Sequence, residues 1–129
     1  MVMRICAPLA AVMGIGGVLL YAAAAHAGDG PGSQSQFSIS TGALMLMTHA
    51  PVIFGIGLVS MAGGLRRLGW IGAALLLAVG NAVFAASVSL HYLTDPALTS
   101  FIGLGPTSAF MIIAGWVFVA VLGLAGDGV

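Results

Sequence analysis

Long apolar runs separated by brief polar breaks set the coarsest pattern in this chain. The runs cover about Ile5 to Ala27, Ile39 to Leu65, Leu68 to Tyr92 and Pro106 to Ala125. Each reaches or exceeds the ~20 residues a helix needs to cross a ~30 Å hydrocarbon layer. They are continuous and rich in Ala, Leu and Gly, unlike the ~10-residue alternating segments of a membrane barrel. Helices are therefore predicted. The first break, Gly28 to Gln36, is the only strongly polar stretch, and its Gly, Pro and Ser content predicts a loop. The second, Gly63-Gly64 followed by Arg66-Arg67, is short enough to make a tight hairpin. The third, Thr94 to Gly105, carries Phe101 and Ile102 and is expected to dip into the membrane interface. Pro106 with Thr107 suits a helix start. No stretch is left for a soluble domain, so residues 1–129 read as a single four-helix membrane domain.

Composition narrows the class further. Hydrophobic residues make up 60% of the chain and charged residues 5%. A soluble surface needs far more charge, roughly 25% of residues in an ordinary globular domain. Arg4, Arg66 and Arg67 are the only cations besides histidine, and Asp29, Asp95 and Asp127 the only acidic side chains. If every run spans, the arginines share one face, with Asp29 and Asp95 on the other. Cationic loops stay in the cytoplasm. The expectation is an all-α integral membrane protein, a four-transmembrane-helix bundle of the cell inner membrane with both termini cytoplasmic. Ala25-His26-Ala27 has the form of a signal-peptide cleavage site, but the apolar stretch before it exceeds the usual ~7–15 residues, so the first run is read as retained. No basic stretch points to nucleic acid. The lone Cys6 has no partner for an internal disulfide.

Apolar burial gives helices little reason to associate in lipid, so close packing through small residues has to supply much of the attraction. Ala74, Ala78, Ala82 and Ala86 form a stripe at spacing four on the third helix. Ala10 and Gly14, Gly55, Gly115 and Gly123 offer further small positions. Polar groups at membrane depth need a partner or a purpose. Counted at ~1.5 Å per residue, His49, Asn81 and Trp116 fall in one midplane layer, with Gly16-Gly17 beside them. His49 is expected to hydrogen-bond Asn81 or a neighbouring carbonyl. Pro51, two residues on, removes a backbone donor and is expected to kink the helix, making His49, Asn81, Trp116 and Pro51 the candidate ligand site. His26 and His91 are expected at the outer interface, with Tyr92 and Trp70 as belt aromatics. Only those two histidines match in depth for haem, and no haem motif accompanies them, so no cofactor is expected. The methionines read as core filler. Ser40, Thr41 and Thr48 lack an acid partner and are expected to bond back to helix carbonyls. No helix carries a carboxylate, and no nucleophile meets a base, so no catalytic residue or metal site is expected.

Several short motifs resemble those of the domain of unknown function 423 family, the YgdD-like small inner-membrane proteins. They are Tyr21-Ala22-Ala23-Ala24-Ala25-His26-Ala27-Gly28, the stretch Thr41 to Ala50, Ala86 to His91, Gly105-Pro106-Thr107-Ser108, and Gly115-Trp116. Their order and spacing cover about residues 14 to 124. The chain departs from the family pattern at the aromatic before the second-helix histidine, at His91 and at Pro51. The resemblance implies a four-helix inner-membrane protein of no established activity and places His26 and His49 on family motifs. The function expected is an accessory or scaffolding subunit, in contact with the lipid bilayer and with a partner membrane protein or a second copy. The alternative is a binder of lipid or quinone near His49 and Pro51. Reporter fusions test the topology: a fusion after Val129 should report cytoplasm and one between Gly30 and Ser33 the opposite side, and the reverse pattern would refute the charge argument.

Overall fold

The computed structural model describes residues 2–26, 30–61, 67–93 and 104–125, and for His91 and Leu93 the backbone alone. Asp29, Arg66, Asp95 and Asp127 lie outside the described residues, as does the expected interfacial dip at Phe101 and Ile102. Helices α1 (Met3–Ala24), α2 (Gln34–Val59), α3 (Arg67–Leu93) and α4 (Leu104–Leu124) account for nearly all the rest. All four are long and apolar enough to cross a membrane.

The helix starts fall earlier than the apolar runs suggested. α2 begins at Gln34, not Ile39, because Ser33 caps it: the Ser33 hydroxyl oxygen accepts from the Gln36 amide at 3.2 Å. Gln36 reaches back so that its Oε1 accepts from the Gly32 amide at 2.7 Å. This is a capping box displaced by one residue, and Ser-Gln-Ser-Gln is its sequence signature. Gly30 and Gly32 take φ of 92° and 81°, a backbone region open to glycine, and turn the chain into the cap. α4 starts at Leu104, which puts Pro106 in the first turn, where its missing N–H leaves no helical bond unmade. α2 continues through Pro51 as one assigned helix.

The helices pack in chain order: α1 on α2, α2 on α3, α3 on α4, with a smaller contact between α1 and α3. Buried positions on α1 are Cys6, Ala10, Met13, Gly17 and Ala24. On α2 the buried set includes Ser35, Ile39, Gly42, Leu46, His49, Ile53 and Ile56. These follow alternating steps of four and three, the seam of left-handed helix packing. On α4 only Ser108, Ile112 and Gly115 are buried, one narrow stripe against α3.

Each consecutive pair closes over a glycine. A Cβ on Gly17 of α1 would sit 2.5 Å from Met47 Cγ and 3.0 Å from the Ala43 carbonyl oxygen. One on Gly42 of α2 would lie 3.1 Å from Ala85 Cα, and one on Gly80 of α3 3.1 Å from the Ile112 nitrogen. Side chains of Met47, Val88 and Ile112 crowd these positions too, but the backbone atoms beside them cannot rotate away. Trp70, expected at the interface belt, is instead 7% exposed and packs into the central cluster with Ala74, Leu77 and Ala78. It lies on the buried side of α3, and burial of its large ring outweighs its usual preference for headgroups. Met13 is buried, whereas Met47 and Met61 lie on the surface, so only part of the methionine set fills the core.

Gly42→Ala and Gly80→Ala should each destabilise the bundle by about 1–3 kcal/mol, because overpacking exceeds the gain in helix propensity. Gly55→Ala, whose Cβ would meet nothing within 4 Å, should be neutral or stabilising by up to about 1 kcal/mol. Unfolding in mixed micelles of detergent and denaturing surfactant measures all three, and equal losses at Gly42, Gly80 and Gly55 would refute the backbone-contact account.

Candidate functional site

The polar chemistry inside the bundle begins at Thr48 and His49 on α2. Thr48 donates its hydroxyl to the Leu44 carbonyl at 2.8 Å, and Thr41 donates to that of Phe37 at 2.8 Å. Both hydroxyls therefore bond within their own helix and are not poised as nucleophiles. His49 is buried on the α2 seam. Its Nδ1 lies 2.9 Å from the Met45 carbonyl oxygen, and its Nε2 lies 3.3 Å from Nε1 of Trp116 on α4.

Those two contacts define the imidazole. A carbonyl can only accept, so Nδ1 carries the proton; an indole N–H can only donate, so Nε2 presents its lone pair. His49 is held as the Nδ1–H tautomer with both ring nitrogens engaged. The rings meet edge to face, centroids 6.0 Å apart and planes at 63°. Trp116 reaches across from α4, which otherwise packs chiefly on α3. It remains 43% exposed, so one edge of the indole bonds inward while the rest covers the bundle surface.

Asn81 does not join this pair. It is fully buried on α3 and donates from Nδ2 to the Leu77 carbonyl at 2.8 Å. Among the described residues its Oδ1 has no partner, and neither does the buried Ser89 hydroxyl two turns further on. Of the two partners expected for His49, the structure contains the backbone carbonyl and not Asn81. The geometry explains the choice. A Cβ on Gly115 would press on Leu77, which sets Leu77 level with the Trp116 region of α4, while Asn81 lies one turn further along α3. Pro51 is exposed on α2, away from the seam.

The remaining candidates disperse. His26 is exposed just beyond α1, and the side chain of His91 lies outside the described residues. Ala74 and Ala78 are buried, whereas Ala82 and Ala86 are exposed. The latter two line a groove of about 500 Å³ between α1 and α3, with Gly16 and Ala23 on the opposite wall and Leu46 of α2 at its floor. Sequence reasoning missed this groove, because it depends on how far α1 and α3 diverge across α2. Among the described residues no three His, Cys, Asp or Glu side chains converge to hold a metal ion.

No family model, no curated protein and no solved structure matches the chain.

Trp116→Phe removes the one donor to His49 Nε2 among the described residues. The expected cost is about 0.5–1.5 kcal/mol of unfolding free energy, in the range of interhelical hydrogen bonds in membranes. Asn81→Leu, which deletes an orphaned acceptor at similar volume, should change stability by less than about 1 kcal/mol in either direction. A large loss at Asn81 with none at Trp116 would reverse the assignment of roles.

Proposed function

We propose that this chain is a small multi-pass protein of the inner membrane, with both termini cytoplasmic, that acts as an accessory or scaffolding subunit. It takes a partner's transmembrane helix into the groove between α1 and α3. One observation carries this reading. The small-residue notches at Gly17, Gly42 and Gly80 are filled by the chain's own neighbouring helices. The groove that Gly16, Ala23, Ala82 and Ala86 line, with Leu19, Leu20 and Leu90 among its larger side chains, is left open by the described residues. Walls of small residues let a second backbone approach closely, and that is the main source of helix affinity in lipid. Elsewhere the outward surface carries many large side chains, around a second small-residue hollow at Ala11 and Gly14. Ile15, Val18, Phe110, Ile113 and Leu124 are large and exposed, suited to acyl chains. The reading assigns no catalytic step.

The alternative, a lipid or quinone beside His49 and Pro51, has less support. Trp116 already occupies the His49 Nε2 that a quinone oxygen would need, and Pro51 faces outward.

Ala82→Phe and Ala86→Phe fill the groove from exposed positions and should leave stability within about 0.5 kcal/mol of wild type. They should abolish co-purification of the partner membrane protein in mild detergent. A wild-type protein that purifies as a bare monomer overturns the proposal. Retention of a lipid or quinone by wild type, lost in His49→Ala, favours the alternative.

A further inference from the structure

The end of the bundle that carries Arg4 and Arg67 holds a second concavity, independent of the α1–α3 groove. Where α1 and α3 begin and α2 stops, Val2, Met3, Ser60, Met61 and Arg67 enclose a pocket of about 250 Å³. Three helices supply its walls: α1 gives Met3, with Val2 just before it; Ser60 and Met61 follow α2; and Arg67 opens α3. Ser60, just past the end of α2, and Arg67, at the start of α3, thus meet at one place.

The chemistry of the walls is lopsided. Ser60 is almost fully buried, and its hydroxyl is committed to the Gly57 carbonyl at 2.7 Å. Val2, Met3 and Met61 are apolar. That leaves the guanidinium of Arg67 as the one charged group on the pocket, exposed and without a partner among the described residues. A guanidinium stays charged at any accessible pH and presents a planar fork of donors that matches phosphate oxygens. A cation above an aliphatic and thioether wall suits an amphiphile, with an anionic head at the arginine and hydrocarbon against the methionines.

Charge placement favours the same ligand. Arg4 and Arg67, in the first turns of α1 and α3, both lie at this end, and they are the only arginines among the described residues. The arginine end carries the excess positive charge, and it meets the bilayer at headgroup depth if the helices span. We propose that this pocket is a binding site for the phosphate of an anionic phospholipid, with Arg67 on the headgroup and Met3 and Met61 on the first carbons of the chains.

Native mass spectrometry of the full chain released from micelles tests the site, with phosphatidylglycerol and phosphatidylcholine of matched chains as probes. Wild type should retain phosphatidylglycerol preferentially. Arg67→Gln should lower that retention about fivefold, the effect of one basic group at an anionic lipid surface. Arg4→Gln, which removes the same charge outside the pocket, should lower it less. Met61→Trp fills the pocket from an exposed position without changing charge and should also lower retention. Equal losses in Arg67→Gln and Arg4→Gln, or undiminished retention in Met61→Trp, would overturn the site in favour of diffuse surface charge. Displacement of the lipid by millimolar inorganic phosphate would overturn the lipid as ligand and leave free phosphate in its place. Helical circular dichroism of each variant confirms that the bundle is intact.

Discussion

The close approach of helix backbones at glycine is the contact on which the rest of this bundle depends. In water, burying leucine against leucine would drive the helices together. In hydrocarbon that term nearly vanishes, because a lipid tail is as apolar as a side chain. What remains is dispersion between closely fitted surfaces, each atom pair worth only ~0.1–0.2 kcal/mol and effective only near contact distance. Gly17 against Ala43, Gly42 against Ala85 and Gly80 against Ile112 bring the backbones close enough to collect many such contacts. These notches set the register of each pair, and every longer-range feature follows from that register.

The placement of His49 is one consequence. It occupies a seam position on α2, so its imidazole points into the bundle, and the α3–α4 register brings Trp116 within reach. The pair satisfies two polar groups that would each be expensive in hydrocarbon. It also attaches α4 to α2, a helix on which α4 otherwise packs little. Asn81 meets the same requirement by half, returning one donor to its own helix and leaving Oδ1 orphaned. An amide bonded within its own helix carries no specificity between helices, which is why His49 and Trp116 are the polar pair that bears on tertiary structure here.

The same register divides the surface into two kinds. Most outward positions carry large aliphatic and aromatic side chains. The α1–α3 groove, where alanine and glycine lie among larger aliphatic side chains, and the pocket at Arg67 are two concave places among the described residues. One is apolar but for Ser89, the other has the Arg67 cation at its rim. A helix partner for the first and an anionic lipid for the second ask different things of the same bundle, and neither uses the His49–Trp116 pair.

Much was determined by the sequence alone. Four apolar runs of spanning length settle the helix count and the membrane class, since no other regular structure hides that many backbone groups in lipid. Polar depth placed His49 and Trp116 in one layer, and the back-bonding of Thr41 and Thr48 followed from their chemistry. The start of α2 was legible too, in the Ser33–Gln36 cap, but only to a reader attending to polar spacing and not to hydropathy. What the sequence could not supply is which side of each helix faces in. Buried Leu77 and Ile53 and exposed Leu68 and Phe110 are equally apolar, so hydrophobic periodicity carries no signal in a membrane helix, and the four-three seam of α2 is hidden among residues of the same kind. Only packing decided that Ala74 and Ala78 turn inward while Ala82 and Ala86 face a groove, that Trp70 joins the core, and that His49 bonds Trp116 and not Asn81. The reason is physical: in lipid the inside of a protein differs from its outside in shape and contact distance, and those belong to the assembled helices.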